Sequence, residues 1–88
     1  MNVYVILLRR TERHAKRTES VSLEPAAVAS LAESKHVQLL DIIACNGIFE
    51  AVLVCRAPDN ETLARLLNAL EGWHTDALLA SSYTRYES

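Results

Sequence analysis

The stretch CNGIFEAVLVCRAPDN, residues 45–60, holds a turn signal, a strand and a helix start in immediate succession. Asn46-Gly47 is the strongest short-range hairpin signal in the chain, because a type I′ turn needs positive φ at both central positions and these two residues tolerate it best. Residues 49–56 are β-rich and apolar and read as the strand that follows. Pro58 stops that strand. Asp59 or Asn60 then caps a helix in which Leu63, Leu66, Leu67 and Leu70 fall on one face at i, i+3, i+4 and i+7. One residue does not fit so simply: Glu50 places an acid at the head of a strand that is otherwise apolar.

The rest of the chain can be read outward from there. VQLLDIIA, residues 37–44, is the strand before the turn, and residues 22–35 form a helix with a Ser cap, an early Pro25 and apolar Ala27, Val28, Leu31 and Ala32 on one face. VYVILL, residues 3–8, is the first strand. Gly72 closes the second helix at its C′ position, and a last strand runs over residues 73–82, leaving a short unassigned tail. The order β-α-β-β-α-β is a split βαβ pair. With right-handed crossovers it gives an α+β, ferredoxin-like fold: a four-stranded antiparallel sheet with both helices on one face.

Eighty-eight residues make a single domain, 1–88, near the lower end of what folds alone. Half the residues are hydrophobic, the net charge is -2, and two Gly and two Pro punctuate the chain, which excludes disordered and collagenous classes. The apolar run at residues 3–8 is too short for a signal segment and far too short to span a bilayer, so no membrane association is expected and the cytoplasm is the expected location. That run also bears on assembly. It leaves neither face of the first strand polar, although helices cover only one face of such a sheet. A bare second face would expose more apolar surface than soluble monomers usually carry. A second copy is the simplest cover, and two sheets packed face to face bury on the order of 1,500 Å², enough for a homodimer or the core of a larger homo-oligomer.

A two-residue Asn46-Gly47 loop fixes the hairpin register. Ala44 then opposes Phe49, Ile42 opposes Ala51, Leu40 opposes Leu53 and Gln38 opposes Cys55, on a face assigned to the helices. The other face holds Ile43 with Glu50, Asp41 with Val52, Leu39 with Val54 and Val37 with Arg56. Asp41 and Glu50 become diagonal neighbours about 7 Å apart on the face a partner would cover. The same register separates Cys45 from Cys55 too far for a disulfide. No CxxC or HxxxH spacing suggests a metal site, and Cys55 reads as a small core hydrophobe.

Three groups of residues can carry chemistry. Asp41 and Glu50, joined by His74 and Asp76 on one face of the last strand, can act as general acid and base, because neighbouring carboxylates push one pKa upward. The alternative is solvated acids paired with Arg56 at the sheet rim, and a His74 that is simply an edge-strand residue beside Trp73. RRTERHAKR, residues 9–17, carries five Lys or Arg and one acid in a chain of net charge -2. Arg9, Arg10 and Arg13 there can hold a phosphate or carboxylate, against the plainer reading of a solvated loop. Nucleic acid is not expected, given a pI of about 5.9 and no aromatic residues within the basic run. In the tail SSYTRYES, Tyr83 and Tyr86 cannot share one face of a straight strand; they either anchor on a neighbouring subunit or leave one packed Tyr on a free terminus.

Gly47-Ile48-Phe49-Glu50, followed by Ala51-Val52 and Ala57-Pro58-Asp59, resembles the G-x-Y-D hairpin and A-P-D segment of the GYD domain family. VYVILLRRT, the Ala-rich first helix and HTDALLASS sit where that family has its first strand, first helix and final T-x-T-L-like strand, so the resemblance covers most of the chain. Phe49 and Glu50 stand where the family has Tyr and Asp, which keeps the aromatic and acidic character but loses a hydroxyl. The resemblance implies a dimeric α/β barrel, a class that includes small-ligand sensors and cofactor-independent enzymes. It implies architecture and assembly rather than a reaction.

There is no glycine-rich phosphate loop, nucleophile elbow or dinucleotide fingerprint, so no cofactor is expected. The leading expectation is a homo-oligomeric module that binds a small organic ligand between packed sheets, with Tyr4, Phe49 and Trp73 as apolar lining and Asp76 nearby. The alternative is a cofactor-independent enzyme of small monooxygenase or isomerase type, using Asp41, Glu50 and His74. A purely structural assembly protein with a filled interface is the third reading.

Overall fold

A computed structural model of the chain describes residues 2–10, 22–81, 83 and 84. Its elements are β1 (Asn2–Arg10), α1 (Pro25–Ser34), β2 (Gln38–Ala44), β3 (Ala51–Ala57), α2 (Asn60–Ala69) and β4 (Trp73–Ala80). The strands form one sheet in the order β2-β3-β1-β4, with each neighbouring pair antiparallel. This is the expected α+β, ferredoxin-like βαββαβ architecture. No described helix is long and apolar enough to cross a membrane.

Period-two alternation sorts β1 between the two sheet faces. Tyr4, Ile6 and Leu8 are buried against the helices, while Val3, Val5 and Leu7 lie half-buried on the other side. Ala51, Leu53, Cys55 and Ala57 of β3 join the same core, with Val28 and Ala32 of α1 and Leu63 and Leu66 of α2 packed on them. Each helix thus buries one stripe. Cys55 is fully enclosed, and burial pushes its thiol up to about 12, because the thiolate has no solvation there. Cys45 is half-exposed. A disulfide-exchange reagent at mildly alkaline pH is therefore expected to label one thiol of the native chain, Cys45, and to reach the second only on unfolding; rapid labelling of both would contradict the enclosed Cys55.

The helix ends show why the elements stop where they do. The Asp59 carboxylate accepts a 2.7 Å hydrogen bond from the Thr62 N–H, capping α2, and that bond holds its pKa below the ordinary value. Asn60 makes no cap; its side-chain oxygen accepts from the Tyr4 hydroxyl at 2.5 Å. Gly72, at φ 95°, lies two residues past the C-cap Leu70 rather than at C′. At the start of α1, Glu24 is the N-cap and Pro25 opens the helix, while Ser22 Oγ accepts from the Glu24 N–H in the turn before it. The C-terminus of α1 closes in a Schellman motif. The His36 N–H donates to Glu33 O at 3.0 Å and the Val37 N–H to Ala32 O at 2.9 Å, with His36 at φ 63° in the left-handed position that glycine usually fills.

The β2–β3 connection differs from the expected two-residue turn. Ala44 pairs with Ala51 instead of Phe49, so residues 45–50 form the loop and Phe49 lies outside β3. Gly47 has φ 136°, whereas His36 is the one described non-glycine residue with positive φ, so Asn46 does not take the conformation a type I′ turn requires. The competing interactions are backbone ones. The Cys45 N–H donates to Glu50 O at 2.9 Å, closing the wider loop, and the Glu50 N–H is drawn away to Leu8 O of β1 at 2.8 Å. A second departure is the register shift between Leu39 and Asp41. This irregularity pairs Leu39 with Cys55 and Gln38 with Arg56, so Val37 and Leu39 join the helix-side core and Gln38 goes to the other face, the reverse of the expected assignment.

Candidate functional site

The sheet face away from the helices is the candidate site. Cross-strand pairing gathers Val3, Val5 and Leu7 of β1, Val52 and Val54 of β3, Ile43 and Asp41 of β2, and Leu78 and Ala80 of β4 on this side. Ile43 is 49% and Leu78 58% exposed, so the apolar surface extends toward both edges of the sheet. Polar residues mark the ends: Arg9, His74 and Asp76 at one, Gln38 and Arg56 at the other.

Of the two acids expected to pair, Asp41 stands on this face. Its Oδ1 accepts from the Ile42 N–H at 3.0 Å and its Oδ2 from the Tyr83 hydroxyl at 3.4 Å. Tyr83 follows β4, which lies at the opposite edge of the sheet from β2, so this bond reaches over the open face. Val54, the cross-strand partner of Asp41, is the most deeply buried of the described open-face residues at 6% exposure. The partner for Tyr83 is therefore within its own chain. Tyr86 lies outside the described residues. Replacing Tyr83 with Phe keeps the ring and removes the bond. The expected cost is about 1 kcal/mol in denaturant unfolding, and a variant as stable as the wild type would mean that the hydroxyl contributes nothing.

The expected carboxylate pair is not formed. Asp41 pairs with Val54, four residues along β3 from Glu50, which puts the two acids more than about 10 Å apart by strand geometry. Glu50 instead makes a 3.8 Å ion pair with Arg10 and lines a cavity of about 260 Å³ beside Leu23, Pro25, Ile42 and Ala44, on the helix side of the sheet. The Arg10 guanidinium also stacks over Trp73, 5.3 Å from the ring centroid. His74 and Asp76 do share a face, with Nε2 and Oδ1 3.6 Å apart, but on β4, three strands away from Asp41. Arg56 forms no ion pair with Asp41 or Glu50. Among the described residues it makes no ion pair.

The apolar lining also needs correction. Tyr4, 3% exposed, and Trp73, 9% exposed, both belong to the helix-side core and cannot face a cavity between packed sheets. Phe49 is half-buried in the loop before β3. Arg9 is exposed, Arg10 is engaged as described, and Arg13 lies outside the described residues. No cluster of three or more His, Cys, Asp or Glu suited to a metal occurs among the described residues.

A cavity of about 560 Å³ lies elsewhere, between the C-terminal end of α1 and the start of β2. Glu33, His36, Gln38 and Arg56 supply its polar lining and Val37 and Leu39 part of its apolar wall. One sequence signal pointed toward it: α1 ends at SKH with no glycine to take the left-handed position. Nothing in the sequence linked Asp41 to Tyr83, which stand 42 residues apart.

No family model matches the chain, and no curated protein matches its sequence. Among solved structures, the crystal structure of TTHA0845 from Thermus thermophilus is similar in fold, with a TM-score of 0.57 and 23% sequence identity over 97% of this chain and 100% of that one.

Proposed function

We propose that the protein is a GYD-like homo-oligomeric module in which the open faces of two sheets pack together and hold a small organic ligand between them. The observation that carries the reading is the apolar face itself: six aliphatic residues, Val3, Val5, Leu7, Val52, Ile43 and Leu78, on a side that no described helix covers. Monomers rarely leave such a face in water, and a C2 arrangement lets one patch serve both partners. Within this reading the ligand meets aliphatic walls, and the Asp41–Tyr83 pair offers the polar contact that sets its orientation.

The acid–base alternative requires two chains to supply its groups, because a single chain holds Asp41, Glu50 and His74 apart. Native mass spectrometry with light scattering over a range of concentrations tests the proposal. The expected result is a dimer or larger assembly that retains an organic molecule of low mass under gentle ionisation. A monomer at every concentration would overturn the assembly, and an assembly with no capacity for small apolar molecules would leave only a structural role.

A further inference from the structure

We propose that the cavity between α1 and β2 is a binding site for a small zwitterion, a molecule carrying one carboxylate and one ammonium group. A single chain supplies every group involved, two of which, Gln38 and Arg56, stand at one end of the open sheet face.

The charges on its walls motivate the assignment. Arg56 and Glu33 both line the cavity, yet they are not within ion-pair distance, and neither forms an ion pair with any other described residue. The two formal charges cancel in sum, and neither is paired within the described chain, Glu33 being exposed and Arg56 half-buried. A plain anion would meet Arg56 but be opposed by Glu33, and a plain cation would meet the reverse. A ligand of zero net charge with separated ends satisfies both. The carboxylate end has the Arg56 guanidinium, the His36 imidazole and the Gln38 amide as donors. The ammonium end has the Glu33 carboxylate, and α1 ends beside it, where the negative end of the helix dipole favours a cation. Val37, 2% exposed, and the half-buried Leu39 give the middle of the ligand an apolar surface. A volume of about 560 Å³ accommodates such a molecule.

The backbone gives a second, independent observation. His36 occupies the left-handed C′ position of the Schellman motif at φ 63°. Glycine holds that position without strain, and a side chain there costs stability. Strained backbone of this kind concentrates at functional sites. A role for the imidazole in the cavity accounts for a histidine where local stability favours glycine.

Titrating the ¹⁵N-labelled protein with L-alanine, L-glutamine and γ-aminobutyrate, with acetate and ethylammonium as controls bearing half the charge pattern, tests the assignment. At least one zwitterion should shift the amides of residues 36–39 saturably and bind at least about tenfold more tightly than either control. Arg56→Gln and Glu33→Gln should each weaken that binding by about tenfold or more. His36→Gly separates fold from function: it should unfold at a higher temperature than the wild type and bind more weakly. The proposal is overturned if no zwitterion gives a saturable shift, if acetate or ethylammonium binds as tightly as the zwitterions, or if His36→Gly binds like the wild type.

Discussion

If the open faces pack as proposed, Leu78→Arg combined with Ile43→Arg is expected to convert the assembly into folded monomers, raising the dissociation constant by at least about a hundredfold. Both side chains are about half exposed in the single chain, so the isolated fold has room to let an arginine reach water. In a face-to-face dimer the same positions are enclosed, and two-fold symmetry doubles the number of charges trapped without partners. Leu79→Arg is the control. Leu79 is 63% exposed on the same strand, but it pairs with Tyr4 and faces the helix side. Circular dichroism should be unchanged in all three proteins, while light scattering shows a loss of mass only in the double variant. If Leu79→Arg dissociates the assembly as well, the β4 edge rather than the sheet face makes the contact.

Leu53→Ala is expected to cost about 2–5 kcal/mol, a large part of the roughly 4–13 kcal/mol available to a chain of this length. Leu53 is fully buried on β3, pairs with Ile6 on one side and Ile42 on the other, and faces the helices. The surrounding strands cannot collapse onto the vacated space without breaking their ladders, so a cavity remains. The midpoint of thermal unfolding should fall by on the order of 10–20 °C. Ile48→Ala removes a similar amount of hydrocarbon from a loop position that is 78% exposed and should shift stability by no more than about 0.5 kcal/mol. The comparison is made at one protein concentration, because any self-association would add to apparent stability. A Leu53→Ala protein as stable as Ile48→Ala would contradict the core described above.

The sequence by itself determined the element order and, with it, the antiparallel four-stranded sheet. It also determined which face of β3 and α2 turns inward and the isolation of Cys55. These features depend on short-range physics: side chains alternate every two residues in a strand, repeat near 3.6 in a helix, and caps act within one turn. Even the open apolar face could be read this way, since VYVILL has no polar alternate position.

Tertiary structure decided the register and the site. Asn46-Gly47 favours a tight turn locally, but the Glu50 N–H pairs with Leu8 O on β1, more than forty residues earlier, and the hairpin opens to accommodate that bond. The two-residue change in pairing preserves which β3 residues face the core and yet separates Asp41 from Glu50, so the fold was legible while the carboxylate pair inferred from it was not. The irregularity near Leu40 exchanges the faces of residues 37–39, turning Val37 and Leu39 toward the helices and Gln38 to the face it shares with Arg56. Asp41 meets Tyr83 for the same kind of reason. Contacts between residues distant in the chain are set by the packing of whole elements, and no local pattern encodes them.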